Sequence, residues 1–437
     1  MKLQLLRQDA QRIFKAGVEA ADPYLAVADF FEHHPDFFIP YPVVHLIAFG
    51  KAACGMATAA MERLPAYQQG LRIAVTNYEN VAPIANIELI AAGHPIPDAA
   101  GFKAAQKISD YAKTAQANEL VLILISGGGS ALIPYPCEGI SLAEKIATTH
   151  LLLSCGATIH EINCVRKHLS HLKGGGLAKY CAPAHSHALI LSDVLDDDLS
   201  VIASGTTVAD ASTFDEAIQV LQSKNVWQAT PASVKTHLLK GKEGIINETP
   251  KPGDTIFGNT SHDLVGSNAL SVAAMHHMAK SMDYHTILYR NPLCGEAREV
   301  AASFVRDAQK TLSATNAKRL AFITGGETTV TLKGSGKGGR NQEMALAFAI
   351  AAEQYSLKEK WVFLSGGTDG IDGVSPAAGG IVDVNSTTRM HNAHVNAQER
   401  LNNNDSYHAL KSADDLLITG ATGTNVADLQ VLLVDLS

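Results

Sequence analysis

The chain of 437 residues is too long for a single hydrophobic core and predicts two domains. Its 46% hydrophobic and 18% charged residues are ordinary for a soluble globular protein, and the net charge of −8 argues against nucleic acid as a partner. No apolar stretch approaches the length of a bilayer span, and charges interrupt the first helix, so we expect neither a membrane partner nor a signal peptide. The six cysteines form no C-x-x-C pair and no zinc-ligand spacing, which favours reduced thiols in the cytoplasm.

A first strand, predicted over residues 43–49, follows an amphipathic N-terminal helix and runs directly into Gly50 and Lys51. A lysine that follows a buried parallel strand lies at the carboxyl edge of the sheet, where open α/β sheets bind ligands. The plain alternative is a surface lysine at a helix start, but a cation is disfavoured at that end of a helix. We therefore interpret Lys51 as a functional residue.

The next predicted units of strand, loop and helix contain a glycine-rich loop. An almost wholly apolar strand at 120–125 is followed directly by the Ser-Gly-Gly-Gly-Ser run 126–130. Glycines at a strand end let backbone N–H groups approach an anion, so this run predicts a second ligand loop. Before it, Asp98 is the expected N-cap of a helix over 99–115, while His94 is equally consistent with a ligand contact and with an ordinary loop residue.

Basic and then acidic residues follow that loop. Arg166, Lys167 and Lys173 recur at roughly helical spacing, which predicts either one shared pocket or a solvated basic face. After the following apolar strand, the acidic run 193–198 offers carboxylates of the kind that hold Mg²⁺. A cluster that caps the next helix is the alternative, and Asp193 is the residue that we favour as a metal ligand.

A change of composition towards Lys, Gly, Glu, Thr and Pro at 239–253 marks the predicted crossover to a second domain. Within that domain the pattern predicts strands at 320–323 and 328–332, a loop with four glycines, and a helix over 341–352. The loop contains Gly334, Gly336, Lys337, Gly338, Gly339 and Arg340. Glycines, cations and a helix N-terminus together are typical of a phosphate-binding pocket.

Other interpretations of this loop fit less well. The glycines at 334, 336 and 339 formally match the dinucleotide-binding fingerprint, but that fingerprint needs an acid after the following strand. Here the following strand ends in a Ser-Gly-Gly run at 365–367. The loop also lacks the Walker A spacing. A flexible hairpin with solvated cations is the remaining alternative, although two cations among four glycines are unusual for a plain turn.

Two more glycine-rich segments follow predicted strands. The first, at 365–373, contains Gly366 and Asp369, and the second lies at 419–425. At least five such loops follow apolar strands in this chain. Their repetition in βα units predicts a ligand site built at the edges of α/β sheets.

The resemblance of the chain to a known family rests on motifs spread over almost its whole length. The main ones are AFGKAACGMA (48–57), ISGGGSAL (125–132), NCVRKHLSHLKGGGLA (163–178), LSDVLDDDLSVIASG (191–205), GSGKGGRNQE (334–343) and LSGGTDGIDG (364–373). Together they resemble the class II glycerate kinases, whose C-terminal half is often called the MOFRL domain. The GKGGRNQE and SGGTDGIDG runs are the most specific of these motifs.

The resemblance implies an ATP- and Mg²⁺-dependent kinase that phosphorylates D-glycerate on the 2-hydroxyl, giving 2-phosphoglycerate and ADP. It also implies an α/β fold of two domains with Rossmann-like sheets, glycine-rich loops at the carboxyl ends of strands, and an active site in the cleft between the domains. We place the domains at 1–240 and 241–437, with the MOFRL-like region at about 318–437. The first helical segment, 1–35, is expected to pack on either domain.

The resemblance assigns the two catalytic cations of the family to Lys51 and Arg340. We add Asp193 as a catalytic and metal-binding residue, Asp197 as a second metal ligand, and Asp369 as an alternative base. The expected substrate-binding residues are Ser126, Gly127, Gly128, Ser130 and Arg166. The expected nucleotide- and phosphate-binding residues are Gly334, Gly336, Lys337, Gly338, Gly339, Gly366 and Asp369.

Three loops depart from the family pattern by losing a proline, at 203–207, 373–379 and 419–425. Because proline restricts φ, we expect these loops to be looser, which affects substrate preference more than the class of reaction.

Two functions from other classes remain as alternatives. One is an NAD(P)H-dependent hydroxypyruvate reductase, against which the missing ribose-binding acid argues. The other is a non-catalytic sensor that binds a sugar acid or a nucleotide with the same loops. The expected partners are a small-molecule substrate and a nucleotide, and a homodimer is left open.

Overall fold

The computed structural model describes residues 2–289 and 291–437. The chain forms two compact units, one made of Pro23–Val265 and the other of the residues up to Asp22 together with Gly266–Ser437. Each unit contains one β-sheet and the helices that pack against it. The predicted α/β class is therefore confirmed.

The strands are β1 (Val44–Phe49), β2 (Gln69–Asn77), β3 (Glu88–Ala92), β4 (Leu120–Ile125), β5 (His185–Leu191), β6 (Thr260–Gly266), β7 (His285–Leu288), β8 (Leu293–Glu296), β9 (Arg319–Thr329), β10 (Lys360–Gly367), β11 (Gly379–Asp383), β12 (Leu416–Leu417) and β13 (Asp428–Asp435). The helices are α1 (Leu3–Glu19), α2 (Pro23–His33), α3 (Ala53–Arg63), α4 (Ala99–Thr114), α5 (Gly129–Leu132), α6 (Leu142–Ser154), α7 (Ile159–His168), α8 (Gly176–Cys181), α9 (Phe214–Ser223), α10 (Ala232–Lys242), α11 (Asn268–Ser281), α12 (Ala297–Leu312), α13 (Arg340–Gln354), α14 (Ser386–Asn392), α15 (Ala397–Asn402) and α16 (Ser406–Ser412).

The first sheet has the strand order β3-β2-β1-β4-β5-β6, which is the order of a doubly wound nucleotide-binding sheet. Strands β1 to β5 are parallel to one another. Every residue of β1 and of β4 is buried, as expected for parallel strands covered by helices on both faces. The order reverses between β1 and β4, and the two strands end level with each other, because Phe49 pairs with Ile125. Ligands of such sheets bind at this point.

Local sequence signals explain where the helices of this unit begin. Asp98 caps α4, as predicted, by accepting a hydrogen bond of 2.9 Å from the backbone N–H of Gly101. Helices α6, α7 and α9 each begin with a capping box of Ser or Thr followed three residues later by Glu.

The second sheet is mixed rather than wholly parallel. Its order is β12-β11-β10-β13-β9-β7, with β8 paired to β9. Strand β13 runs antiparallel to both of its neighbours, β10 and β9, whereas β7 and β8 run parallel to β9. The Rossmann-like arrangement predicted for both sheets therefore applies to the first one only.

The predicted pair of strands at 320–323 and 328–332 is a single strand, β9, which ends at Thr329. The Gly325–Gly326 pair does not interrupt it, because β13 pairs with β9 up to Gly326 and β8 pairs with it from Gly326 onwards. Tertiary pairing thus outweighs the local signal of two glycines.

The division into units differs from the predicted boundary at 240 in two respects. Strand β6 completes the first sheet, so the chain leaves that unit only at residue 265. Helix α1 belongs to the unit of the second sheet, where it packs on α11, β10 and β13. Its buried residues recur at helical spacing along one face and are Leu6, Ala10, Ile13, Phe14 and Gly17.

Candidate functional site

The loops after β1 and β4 meet at the point where the order of the first sheet reverses. The backbone N–H of Lys51 donates to the carbonyl of Gly127 at 2.9 Å. The next N–H, of Ala52, donates to Oγ of Ser126 at 3.0 Å. The structure therefore brings together the predicted Lys51 and the predicted serine–glycine loop.

Close backbone approach explains two of the glycines in these loops. Gly50 has φ of +127°, and a Cβ on it would lie 2.1 Å from Oγ of Ser126. Gly128 has φ of +83°, and a Cβ there would lie 3.0 Å from the His94 imidazole and 3.2 Å from Cγ of Lys51. Burial, and then the nearby Lys51, lower the pKa of His94, so this imidazole is neutral near pH 7.

The hydroxyl of Ser130 lies at the centre of a buried hydrogen-bond chain. Oγ of Ser130 accepts hydrogen bonds from the guanidinium of Arg166 and, at 2.8 Å, from Nζ of Lys173. With both lone pairs used, it donates to Oγ of Ser204 at 2.7 Å, and Ser204 donates to Oδ1 of Asn163 at 2.9 Å. All hydrogen bonds of this series run in one donor direction, from the two cations through Ser130 and Ser204 to Asn163. The series fixes the position of the Arg166 guanidinium.

Residues 203–205 support this chain through an unusual backbone conformation. Ala203, Ser204 and Gly205 all have φ between 50° and 64°, and such a run of left-handed residues is strained for the first two. The carbonyls of Ser204 and Gly205 accept hydrogen bonds of 3.0 and 2.7 Å from the N–H groups of Gly174 and Gly175. These bonds tie the strained turn to the glycine run that follows Lys173.

A cavity of about 140 Å³ opens beside Ser130 and Arg166. Lys145 lies on its wall, and its ammonium donates to the carbonyl of Leu169 at 2.8 Å. The rest of the wall is largely apolar and includes residues 95–97. A small anion with a short carbon chain matches both kinds of surface.

The two predicted metal ligands differ in their surroundings. The carboxylate of Asp193 lies against the serine–glycine loop, since a Cβ on Gly127 would come within 2.3 Å of its Oδ2. Asp197 has φ of +51°, and its buried Oδ1 has no hydrogen-bond partner in the described part of the chain. An orphaned carboxylate oxygen suits a cation, because a metal ligand needs no proton donor. Residues 2–289 and 291–437 contain no group of three or more His, Cys, Asp or Glu side chains placed to hold a metal ion.

In the second unit, Arg340 begins α13 and forms a bidentate ion pair with the buried Asp428. Nε and one terminal nitrogen donate to the two oxygens of Asp428 at 2.7 and 2.9 Å, and the other terminal nitrogen donates to Glu327 at 2.6 Å. Burial alone would lower the pKa of Arg340, but these two carboxylates outweigh it and raise that pKa above its usual range. Three of the five N–H donors are thus used, and two remain for a ligand.

The glycine-rich loop before α13 uses most of its backbone donors within the protein. Oδ1 of Asn404 accepts from the N–H groups of residues 333 and 334, and Asn403 accepts from those of residues 335 and 336. Asp405 accepts from the N–H of Lys337, whose ammonium lies 4.6 Å from the centre of the Tyr407 ring. Within the described residues, only the N–H groups of Gly338 and Gly339 lack an acceptor in this loop.

The N-terminus of α13 already holds an internal anion. The carboxylate of Asp372 accepts from the backbone N–H groups of Asn341 and Gln342 at 3.2 and 2.8 Å. Burial raises the pKa of Asp372, although these hydrogen bonds oppose the rise. A phosphate at this helix end would therefore have to displace a carboxylate.

The remaining predicted nucleotide-binding residues lie on and after β10. Gly366 is the penultimate residue of the strand, and a Cβ on it would lie 2.8 Å from the Phe14 ring, so packing explains this glycine. Asp369 follows the strand and accepts from the N–H of Ile371 at 3.0 Å. The carbonyl of Asp369 also meets the 419–425 segment through the N–H of Thr422.

The hydrogen-bonded residues around Oγ of Ser130 and the cavity beside it form what we call the Ser130 site. Four of its residues were missed by the sequence reasoning or given no definite role, and they are Lys145, Asn163, Lys173 and Ser204. A signal existed for Lys145, because the buried residues of α6 are Lys145, Thr148 and Leu152, at the spacing of one helical face. Of the three cations whose spacing fits either one shared pocket or a solvated basic face, Arg166 and Lys173 both donate to Oγ of Ser130, but only Arg166 lines the cavity beside it. Lys167 instead pairs with Asp210 at 3.3 Å.

Two family models match the chain. The first is a domain of unknown function, DUF4147, over residues 9–239, and the second is the MOFRL family over residues 320–428.

Relatives cover nearly the whole chain. A glycerate 2-kinase of Pyrococcus horikoshii is 38% identical, covering 98% of this chain and 97% of that protein. A D-glycerate 2-kinase of Thermotoga maritima is 41% identical, covering 98% of each. A protein of Agrobacterium vitis that is 38% identical, over 98% of this chain and 94% of its own length, is named a putative hydroxypyruvate reductase.

Solved structures also match the fold over nearly the whole chain. The glycerate kinase of Thermotoga maritima superposes with a TM-score of 0.89 at 39% identity, covering 99% of this chain and 100% of that one. A protein of Pyrococcus horikoshii superposes with a TM-score of 0.83 at 35% identity, covering 99% of each chain. Within the described residues, no helix is long and apolar enough to cross a bilayer.

Proposed function

This chain belongs to the family of class II glycerate kinases, and from that membership we propose that it transfers a phosphoryl group from ATP to the 2-hydroxyl of D-glycerate. The products are 2-phosphoglycerate and ADP. The observation that carries the proposal is the identity of 38% and 41% to two proteins named as glycerate 2-kinases, over 98% of the chain in both cases. The chemistry of the first sheet supports it, because phosphoryl transfer relies on positioning and charge neutralisation.

The substrate carboxylate is assigned to the Ser130 site. Arg166 is a guanidinium without a carboxylate partner among the described residues, and it lines the cavity of about 140 Å³. A guanidinium and backbone N–H groups both suit a carboxylate, so Arg166, Ser130 and the loop 126–128 are the proposed substrate-binding residues. Lys51, held beside that loop, is the proposed cation for the transferring group.

Asp193 and Asp197 are the proposed ligands of Mg²⁺. Oδ1 of Asp197 supports this assignment, since it has no hydrogen-bond partner in the part of the chain that the structure describes. Two carboxylates with several waters are a usual set of magnesium ligands. When bound, the ion supplies positive charge to the phosphate oxygens of the nucleotide. Asp193 and Asp369 both stay candidates for the group that accepts the hydroxyl proton.

The nucleotide is assigned to the second unit. Among the described residues, two N–H donors of Arg340 and the backbone N–H groups of Gly338 and Gly339 have no acceptor. Gly334, Gly336 and Lys337 stay predictions, because their N–H groups become available to phosphate only if the bonds to residues 403–405 break. The roles of Gly366 and Asp369 also stay predictions.

We further infer a cytoplasmic protein. All six cysteines are free thiols, which suits a reducing compartment. A homodimer stays an open prediction.

The test is an assay of ADP release with D-glycerate, ATP and Mg²⁺, with the product identified by ³¹P NMR. We expect 2-phosphoglycerate, and we expect its rate of formation to fall by at least ~100-fold in Arg340→Ala, since removing one transition-state donor typically costs that much. The matched control is Arg389→Ala, which removes another arginine that is bidentate to a buried aspartate of the same sheet. It should lower stability and leave turnover close to that of the unaltered protein.

Other outcomes would change the assignment. A 3-phosphoglycerate signal would keep the kinase and overturn the regiochemistry. NADH oxidation with hydroxypyruvate, without ADP release, would establish the reductase named for the Agrobacterium vitis relative. Binding of D-glycerate without any turnover would indicate a sensor.

A further inference from the structure

Three cations surround the hydroxyl of Ser130 or the cavity beside it, and all lie in the interior of the Pro23–Val265 unit. Lys145 and Lys173 are 5% and 1% exposed. Their charges act on each other and on Arg166. Among the described residues, none of the three forms an ion pair with a carboxylate.

Within the described residues, these three cations donate hydrogen bonds to neutral oxygens only. Lys145 donates to the carbonyl of Leu169 at 2.8 Å, and Lys173 donates to the carbonyl and the hydroxyl of Ser130 at 2.7 and 2.8 Å. Burying an ammonium group without a counter-charge is costly, so an arrangement of three needs an anion or the loss of protons.

The contrast with Lys167 shows that the fold supplies counter-charges elsewhere. Lys167 is the neighbour of Arg166 in sequence and is also buried, yet it pairs with the carboxylate of Asp210 at 3.3 Å. Among the described residues, Lys145, Arg166 and Lys173 thus lack the carboxylate partner that Lys167 has. Lys145 and Arg166 line the cavity, and Lys173 reaches it through its hydrogen bonds to Ser130.

We propose that Lys145 and Lys173 complete, with Arg166, the binding site for the carboxylate of the hydroxy-acid substrate, and that this anion supplies their missing counter-charge. The proposal rests on the proposed function for the identity of the substrate. Lys145 contacts the anion from the cavity wall. Lys173 contributes its charge through Ser130, at the opposite end of the hydrogen-bond series from Asn163.

The other titratable groups near Lys145 leave its charge uncompensated. Burial raises the pKa of Cys137 to about 11, so this thiol is neutral near pH 7. Burial lowers the pKa of His171 and of His237, which are therefore neutral as well. Glu138, whose charge acts on Cys137 and His171, is exposed to solvent.

These surroundings predict that the protein takes up protons when the carboxylate binds. Burial, with a further contribution from Arg166, lowers the pKa of Lys145 to about 7, and burial also lowers the pKa of Lys173. A bound carboxylate favours the charged form of both amines and raises both pKa values. Binding at pH 7 should therefore take up about half a proton or more for each substrate molecule.

The deciding measurement is calorimetric titration of D-glycerate into the unaltered protein without ATP, in two buffers of different ionisation enthalpy. We expect proton uptake at pH 7 and a smaller uptake at about pH 5.5, because Lys145 is already charged there and no longer contributes. The carboxyl group of glycerate is ionised at both pH values and releases no proton.

Variants assign the uptake to Lys145. Lys145→Met should raise the KM for D-glycerate by about 10- to 100-fold, the usual effect of losing a hydrogen bond to a charged group, and leave the KM for ATP little changed. Lys145→Arg should retain binding but lose the share of proton uptake due to this residue, because arginine stays protonated. Lys103→Met, an exposed lysine on α4, is the matched control and should change neither quantity.

Each outcome bears on the proposal. Binding without proton uptake, together with an unchanged KM in Lys145→Met, would overturn it and leave Lys145 structural. If D-glycerate does not bind but another 2-hydroxy acid binds with uptake, the site stands and the proposed function is wrong in its substrate. If no hydroxy acid binds, both fall. The titration of the unaltered protein decides even if Lys145→Met does not fold.

Discussion

A single hydroxyl, Oγ of Ser130, accepts from two buried cations and donates to a second serine. Replacement of Ser130 by alanine leaves the donors of Arg166 and Lys173 short of an acceptor and breaks the chain to Ser204. We expect Ser130→Ala to lower the free energy of unfolding by about 2 kcal/mol, as for other buried donors left unsatisfied, and to raise the KM for the hydroxy acid. Urea denaturation and steady-state kinetics measure the two effects.

The control for this change is Ser271→Ala. Ser271 is fully buried, and its hydroxyl has no hydrogen-bond partner among the described residues. Its removal should leave stability unchanged or slightly improved, since no bond is lost. An equal loss of stability in both variants would show that the Ser130 network contributes nothing beyond the burial of a hydroxyl.

Sequence reasoning found the residues of this site that belong to glycine-rich or charged motifs and passed over the others. Arg166 and Ser130 were predicted because each follows a recognisable signal. Asn163 and Ser204 carry no such signal, since their role depends on a hydrogen-bond chain between residues 41 positions apart. Only the folded chain shows that contact.

At the scale of the elements, the turn between β1 and α3 depends on Gly50. A Cβ there would lie 2.1 Å from Oγ and 2.5 Å from the carbonyl oxygen of Ser126, and φ of +127° disfavours any side chain. Gly50→Ala should cost about 3 kcal/mol from the combined clash and backbone strain. It should also lower turnover by at least ~10-fold by displacing Lys51.

Gly139→Ala is the matched control, because it introduces the backbone strain of a side chain at positive φ without a steric clash. Gly139 also has a positive φ, of +81°, but a Cβ on it would meet nothing within 4 Å. We expect a loss of about 1 kcal/mol and unchanged turnover. Thermal unfolding and the ADP assay compare the two variants, and equal effects on turnover would contradict the argument.

Asp210 ties the segment before α9 to the segment after α10. Its carboxylate accepts from Lys167, from the hydroxyl of Ser212 at 2.7 Å and from Thr249 at 3.0 Å. Burial would raise the pKa of Asp210, but Lys167 and Ser212 outweigh it and lower that pKa below the unfolded value. Its contribution to stability is therefore present above about pH 4 and is lost as the pH falls through the folded pKa.

Asp210→Asn should cost about 3 to 5 kcal/mol at pH 7, because it leaves Lys167 buried without a counter-charge. The difference from the unaltered protein should narrow at about pH 3, where the carboxylate is becoming protonated. Urea midpoints at both pH values test this. Asp215→Asn, which removes an exposed carboxylate on α9, should shift the midpoint little at either pH.

The elements that the sequence predicted well are those with uninterrupted apolar runs between clear caps. Strand β4 was predicted with its observed bounds, and α4 with its observed cap. The prediction omitted β13, although all eight of its residues are buried. Nothing in a local pattern shows that this strand pairs on both sides with distant segments.

At the scale of the whole molecule, the two ends of the described chain belong to one unit. Arg7 on α1 donates to Asp383 at 2.5 Å and to Asp415 at 3.0 Å, and Arg389 shares both carboxylates. Arg7→Met should destabilise this unit by about 2 kcal/mol, less than the loss of a sole counter-charge, because Arg389 remains.

Hydrogen exchange distinguishes a local effect of Arg7→Met from a general one. Exchange should accelerate in β11, which contains Asp383, and remain unchanged in β4 of the other unit. Arg12→Met, on the exposed face of the same helix, should change neither strand. Faster exchange throughout both units would contradict a local role for Arg7.

The placement of α1 also has a consequence for how the protein is made. The helix leaves the ribosome before the Pro23–Val265 unit, but its packing partners α11, β10 and β13 are synthesised after the whole of that unit. Its apolar face, with Leu6, Ile13 and Phe14, has no native partner until then. An isolated amphipathic helix of this length is marginal in water, so the nascent chain presents an uncovered apolar segment for most of its synthesis. We expect chaperones that recognise exposed apolar segments to bind there, and we expect a ribosome stalled before β13 to hold the Pro23–Val265 unit folded and this helix still unpaired.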